Sequence, residues 1–249
     1  YEPLFMKIDK TKEIPSYSNN PLIIHIETAT RVCSVALSKG NQLLSLKEQI
    51  ESYSHAESLI LFIEEVIAEH AYQPKELSAV CLSAGPGSYT GLRIGTATAK
   101  GLCYSLNIPL IAISSLESIF WGAKSRNSQF KGLFCPMIDA RRMEVYTAMF
   151  HYAGAMVAPI QAKIIDENSF FQELKENKIL FCGNGASKCE PILSKHQHAS
   201  FDFEPISAQN MINIAMQKYQ EQQFENIAYF EPLYLKEYIP GKSKVKGLD

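Results

Sequence analysis

The sequence has no cysteine pair at C-x-x-C spacing and no large excess of charge of either sign. The first absence argues against a zinc ribbon. Six cysteines in 249 residues are also too few to frame a chain of this length with disulfides. Four of them, Cys33, Cys81, Cys135 and Cys182, sit in apolar, strand-like runs, where a thiol behaves as a small hydrophobe. This usage predicts a reducing, cytoplasmic setting. A formal net charge of −2 announces no nucleic-acid binder that acts on its own. No apolar run approaches the roughly 20 residues of a membrane span. Residues 1–20 have no signal-peptide apolar core and read as an extension outside the fold.

What is present is an internal repeat. "PLIIHIETATRVCSVALSKGNQLLSLKEQ" reads as strand, turn, strand, turn, strand. "GLFCPMIDARRMEVYTAMFHYAGAMVAPIQAK" follows the same order, with Asp139 standing where Glu27 stands, at the end of the first strand. Farther on, "SAVCLSAGPGS" and "KILFCGNGAS" are each an apolar strand running into glycines. Two matches in the same order predict a duplicated α/β unit. Helices are predicted in "SYSHAESLILFIEEVIAEHAYQP", where Ser54 and Glu57 have capping-box spacing, and in "TGLRIGTATAKGLCYSLNIP", which Asn107 and Pro109 close. Further helices are predicted in "SSLESIFWGAKS", "DENSFFQELKEN" and "SAQNMINIAMQKYQEQQ". The lobe boundaries fall near residue 114 and after about 235.

"AGPGSYTGLRIG" has the glycines of a phosphate loop without its chemistry. A Walker loop needs a Lys and a Ser or Thr after its last glycine, and here Leu92 and Arg93 follow Gly91. The spacing of Gly85, Gly87 and Gly91 is one residue too long for a Rossmann fingerprint. Two readings remain. The loop is a strand-to-helix turn capped by Ser88 or Thr90, or Gly87, Ser88 and Thr90 hold an anion at the helix N-terminus.

The same stretch, residues 84–95, closely resembles the hallmark of the TsaB family, also called YeaZ. "IETATRVCSVAL", "SHAESLI", "IDARRMEVY", "GNGA" and "EPLYLKE" resemble that family in the expected order, so the likeness runs from residue 22 to about 240. It implies an α/β, actin-like ATPase (ASKHA) fold of two duplicated RNase H-like lobes with mixed sheets. These would be residues 21–113 and 114–235, followed by a basic tail, 236–249. It also implies a non-catalytic scaffold or dimerisation subunit of the complex that transfers threonylcarbamoyl to N6 of the tRNA adenosine beside the anticodon. The implied partners are a TsaD-type catalytic subunit, which this chain would pair with and activate, and a TsaE-type ATPase. A homodimer is an alternative pairing, and tRNA is reached only through the complex.

The residues agree with a chain that has no catalytic or metal site and no cofactor. No two histidines stand four apart on a helix, as the related metal site requires. Neither half contains D-x-G, which speaks against the alternative, a stand-alone ATP-dependent phosphotransferase or ATPase of the same fold. Asp139, followed by Arg141 and Arg142, is expected to form a local salt bridge. Ser88 does not sit in a G-x-S-x-G elbow, so a protease is not expected.

Two helices are expected to form the partner face. The first carries five consecutive apolar residues, of which Leu59, Ile60, Leu61 and Phe62 are taken as contacts. The second is rich in small residues, and Gly91, Leu92, Gly95 and Ala99 are expected to let a partner helix approach closely. The competing reading is that another helix of the same chain covers that face.

Overall fold

The computed structural model describes residues 18–50 and 55–236. The chain runs twice through one program. Strands β1 (Leu22–Glu27), β2 (Cys33–Lys39) and β3 (Gln42–Gln49) form an antiparallel meander. Helix α1 (His55–Ala68), β4 (Ala79–Ser83), α2 (Tyr89–Leu106), β5 (Leu110–Ile113) and α3 (Ser115–Arg126) follow. The second pass is β6 (Leu133–Asp139), β7 (Glu144–His151), β8 (Met156–Ile164), α4 (Phe171–Glu176), β9 (Ile179–Cys182), α5 (Ala186–Leu193), β10 (Ala199–Asp202) and α6 (Ile212–Gln220).

The first sheet has the order β3-β2-β1-β4-β5, and the second, read in the same sense, β8-β7-β6-β9-β10. In both, the fourth strand pairs parallel to the first and the fifth parallel to the fourth. The duplication expected from the repeat is therefore present. Two mixed sheets flanked by helices make an α/β fold of two repeated units.

Strand alternation decides what each sheet face meets. Ile24 and Ile26 of β1 join Leu59, Ile63 and Val66 of α1 and Ala99 and Cys103 of α2 in one buried cluster. Ile23, on the opposite face, packs with Ala215 and Tyr219 of α6. The second sheet repeats this. Cys135 and Met137 face α4 and α5, while Phe134 and Ile138 face Leu116, Ile119 and Phe120 of α3. The last helix of each unit thus packs on the sheet of the other. Helix α6 falls in the second lobe by sequence position, yet it completes the core of the first.

Local chemistry sets the helix ends. Ser88, rather than Thr90, is the N-cap of α2, and its hydroxyl accepts the Gly91 N–H at 3.3 Å. Asn107 ends that helix in the left-handed conformation, which asparagine tolerates. The capping box expected at Ser54 lies outside the described residues, as do Lys242, Lys244 and Lys246 of the basic tail.

Candidate functional site

The β1–β2 turn and the glycine loop are packed directly against each other. The Thr28 hydroxyl donates to the Gly91 carbonyl at 2.8 Å, and the Ser88 N–H donates to the Ala29 carbonyl at 2.6 Å. A Cβ at Gly87 would collide with the Ala29 carbonyl, one at Gly91 with the Thr28 carbonyl, and one at Gly95 with Thr28 Oγ1. The glycines are small because the chain's own turn lies against them. This corrects the sequence expectation for Gly91 and Gly95, which face inward. Leu59, Leu92 and Ala99 are likewise fully buried in the chain's own core. For Gly91 and Gly95 periodicity could not show this, because the residue that occupies the space, Thr28, is distant in the sequence.

Of the loop's donors, the Ser88 and Gly91 N–H groups are committed to protein acceptors, and the Gly85 N–H meets Ser115 Oγ at 3.1 Å. The other side of the loop is covered by residues 225–236. The Leu233 N–H donates to the Ala84 carbonyl at 2.8 Å, Lys100 Nζ donates to the Phe230 carbonyl at 2.9 Å, and Tyr234 packs on Tyr89 with ring centroids 4.9 Å apart. Gly85 has φ +94°, and a side chain there would also press on the Leu233 carbonyl. This segment ends where Lys236 pairs with Glu144 of the second lobe. Sequence reasoning saw "EPLYLKE" only as a motif; its use is to cover the glycine loop.

Glu27 closes the inner end of the turn. It is fully buried, and its Oε1 accepts the Ala29 N–H at 2.6 Å. Burial pushes the carboxyl up to about 7, with the Ser83 hydroxyl and the Ala29 N–H pulling the other way. No cation pairs with it among the described residues. At the end of β6, Asp139 is exposed and is paired with Lys188 of α5. The expected salt bridge to Arg141 or Arg142 does not form. Arg141 gives Asp139 only its backbone N–H, at 2.8 Å. Both arginines adopt left-handed backbone, with φ of 68° and 50°, and are exposed. The histidines are dispersed. His25 bonds Ser38, and His55, His70 and His198 each bond a backbone carbonyl.

The open surface lies on the far side of α1 and α2. Ile60 and Leu61 are 48% and 56% exposed, and Phe62 is half-buried against the core. Beside them, Ile60, Ile63, Ile67 and Ala68 of α1, Leu102 of α2, and Tyr72 and Pro74 line an apolar groove of about 360 Å³. Along the outer face of α2, Ala97 and Gly101 are exposed, and a Cβ at Gly101 would meet nothing within 4 Å. Tyr104, one turn on, is exposed too. Small residues do face outward on this helix, but they are not the ones taken as partner contacts.

Residues 48–246 match the family model described as TsaD: tRNA N6-adenosine threonylcarbamoyltransferase. The tRNA threonylcarbamoyladenosine biosynthesis protein TsaB of Bacillus subtilis is 32% identical over 66% of this chain and 72% of its own length. Its Escherichia coli counterpart is 26% identical over 88% of this chain and 96% of its own. The chain belongs to the TsaD family, in its TsaB group. Among solved structures, YeaZ from Pseudomonas aeruginosa superposes with a TM-score of 0.73 at 22% identity, covering 86% of this chain and all of its own. TsaB membership places the chain in tRNA threonylcarbamoyladenosine biosynthesis. Among the described residues, no helix of this TsaB-group chain is long and apolar enough to cross a membrane.

Proposed function

We propose that this chain is a scaffold subunit that pairs with a TsaD-type catalytic subunit and activates it, and that the pairing face is the outer side of α1 and α2. The observation that carries the reading is the apolar groove between these helices, with Ile60 and Leu61 exposed beside it. An exposed apolar patch of this kind marks a protein contact. The match to a TsaD family model supports a partner of the same fold, since two related chains can present the same helix pair to each other. Packing at the glycine loop supports a non-catalytic role. The β1–β2 turn lies on one side of the loop and residues 225–236 on the other, and the Ser88 and Gly91 N–H groups are already bonded within the chain.

Two substitutions test the face without touching the core. Leu61→Lys places a charge in the apolar contact. Gly101→Leu adds bulk where the chain itself has open space, and it raises helix propensity. Each is expected to leave thermal unfolding near wild type and to weaken pairing at least tenfold, about 1.4 kcal/mol. Sedimentation of each variant with the organism's TsaD-type subunit reads the pairing, and transfer of threonylcarbamoyl to tRNA reads activation. If both variants fold and pair at wild-type affinity, the α1–α2 face is not the interface. Sedimentation of the chain alone shows whether a homodimer uses the same helices.

A further inference from the structure

The distal end of the second sheet, away from Asp139, gathers cations that no carboxylate neutralises. Lys131 immediately precedes Gly132 and lies over the Tyr152 ring, with Nζ 5.1 Å from the centroid. Lys124, near the end of α3, lies 4.4 Å over the Trp121 ring. Lys178 is exposed just before β9, and its carbonyl accepts the Leu133 N–H at 2.9 Å, which sets it beside the start of β6. These residues form one surface. The Tyr152 N–H donates to the Gly132 carbonyl at 3.2 Å, and a Cβ on Gly154 would lie 3.6 Å from Trp121. None of the three lysines has an ion-pair partner among the described residues.

The way these ammonium groups are held matters. On the first lobe, Lys47 is anchored by Glu65 and Glu69, so its charge is spent within the chain. A ring face holds a cation by its quadrupole and leaves the full positive charge outward. Ordered, un-neutralised lysines interleaved with aromatic rings are the chemistry that tracks a phosphodiester backbone. A net charge of −2 for the whole chain conceals such a local patch.

We propose that Lys124, Lys131 and Lys178, with Trp121 and Tyr152, form a contact surface for the phosphate backbone of RNA. The proposal rests on the chain's place in tRNA modification, and it deepens that reading by giving this subunit its own tRNA contact. It does not depend on the α1–α2 pairing face.

Trp121 is the only tryptophan in the chain, so its emission reports on this surface directly. Unfractionated tRNA added to the full chain is expected to quench that emission, and added salt is expected to restore it. The Lys124→Ala, Lys131→Ala, Lys178→Ala triple variant should fold normally, because Lys131 and Lys178 are exposed and the half-buried Lys124 lies against ring faces with no ion pair among the described residues. Its tRNA affinity, measured by filter binding with the variant paired to the TsaD-type subunit, is expected to fall at least tenfold at low salt. The log–log salt slope should fall by about 2, since each lost phosphate contact removes roughly 0.7–0.9. Sedimentation of the same variant should show unchanged pairing, so failure of the pairing reading stays visible separately. Wild-type tRNA affinity and salt slope in the triple variant would overturn the proposal. So would Trp121 emission that responds to poly-glutamate and not to tRNA, which would assign the patch to an acidic protein segment.

Discussion

The two lobes share one strand order and differ in what they do with the acid at the end of the first strand. Glu27 shares a strand face with Ile23, which looks toward α6 and the other lobe. Asp139 shares a face with Cys135 and Met137, which look outward toward α5. One acid is therefore sealed and holds no cation, and the other is exposed and paired with Lys188. The helices that follow the glycine turns differ as well, with 18 residues in α2 and 8 in α5. Topology carries an acid to the same place in the chain path, and strand parity then decides its chemistry.

The largest expected effect comes from breaking the sealed side. Gly95→Leu drives a side chain into Thr28 Oγ1 and against Leu82. Overpacking of this kind costs about 1–3 kcal/mol or more, and Thr28 and Leu82 are themselves fully buried side chains with little room to move. Thermal melts should show a large loss of stability, or no folded protein. The contrast with Gly101→Leu, six residues along the same helix, is the control. Equal stability of the two variants would mean that the turn and the glycine loop are not packed as described.

The next effect is one of pH. The Glu27 carboxyl ordinarily titrates near 4.5, and burial moves it to about 7 in the fold. The fold thus favours the protonated acid. That stabilisation is fully present below about 4.5, and it is lost as pH rises through about 7. Glu27→Gln removes the ionisation while keeping the shape. Relative to wild type, the variant should gain stability between pH 4.5 and 7 and hold a constant advantage above that. A shift of this size corresponds to a few kcal/mol at most, about 1.4 per unit. Buried His25, held down to about 3, acts in the opposite sense as pH falls, and it is common to both proteins. Urea unfolding of both across this range measures the difference. A difference that stays flat with pH would place the titration elsewhere.

Much of this architecture was legible in the sequence. The repeat, the acids ending β1 and β6, and the cap and C-terminus of α2 follow from alternation, turn chemistry and capping. Helix α5 did not, because Pro191 lies inside it and it is short. Strand β10, four residues at a sheet edge, carries too little pattern. The site was less legible for a physical reason. Small residues on a helix tell of a close neighbour without telling whether that neighbour is the chain's own turn or another molecule. Only the distant partners, Thr28 and Ala29 here, decide it. Exposure of Ile60 and Leu61 was readable from the five-residue apolar run, and burial of Leu59 from its helical spacing with Ile63, Val66 and Ile67, which its use as a partner contact overlooked.

The smallest expected effect is on the exposed side of the comparison. Asp139 accepts from Lys188 and from the Arg141 N–H, and Lys188 also donates to the Glu144 carbonyl at 2.6 Å. Asp139→Asn keeps an acceptor for the Arg141 N–H and removes only the charge. The pair is partly solvated, so its loss should cost about 0–1 kcal/mol, and less at high salt. Lys188 retains the Glu144 carbonyl, which limits the loss further. Urea unfolding at low and high salt measures the cost, and tRNA modification by the assembled complex should stay at the wild-type rate. A loss of several kcal/mol would mean that the Asp139–Lys188 pair is integral to its lobe and not a partly solvated contact. A folded variant that no longer supports modification would move Asp139 from structural partner to functional acid, and the lobes would then differ in role as well as in burial.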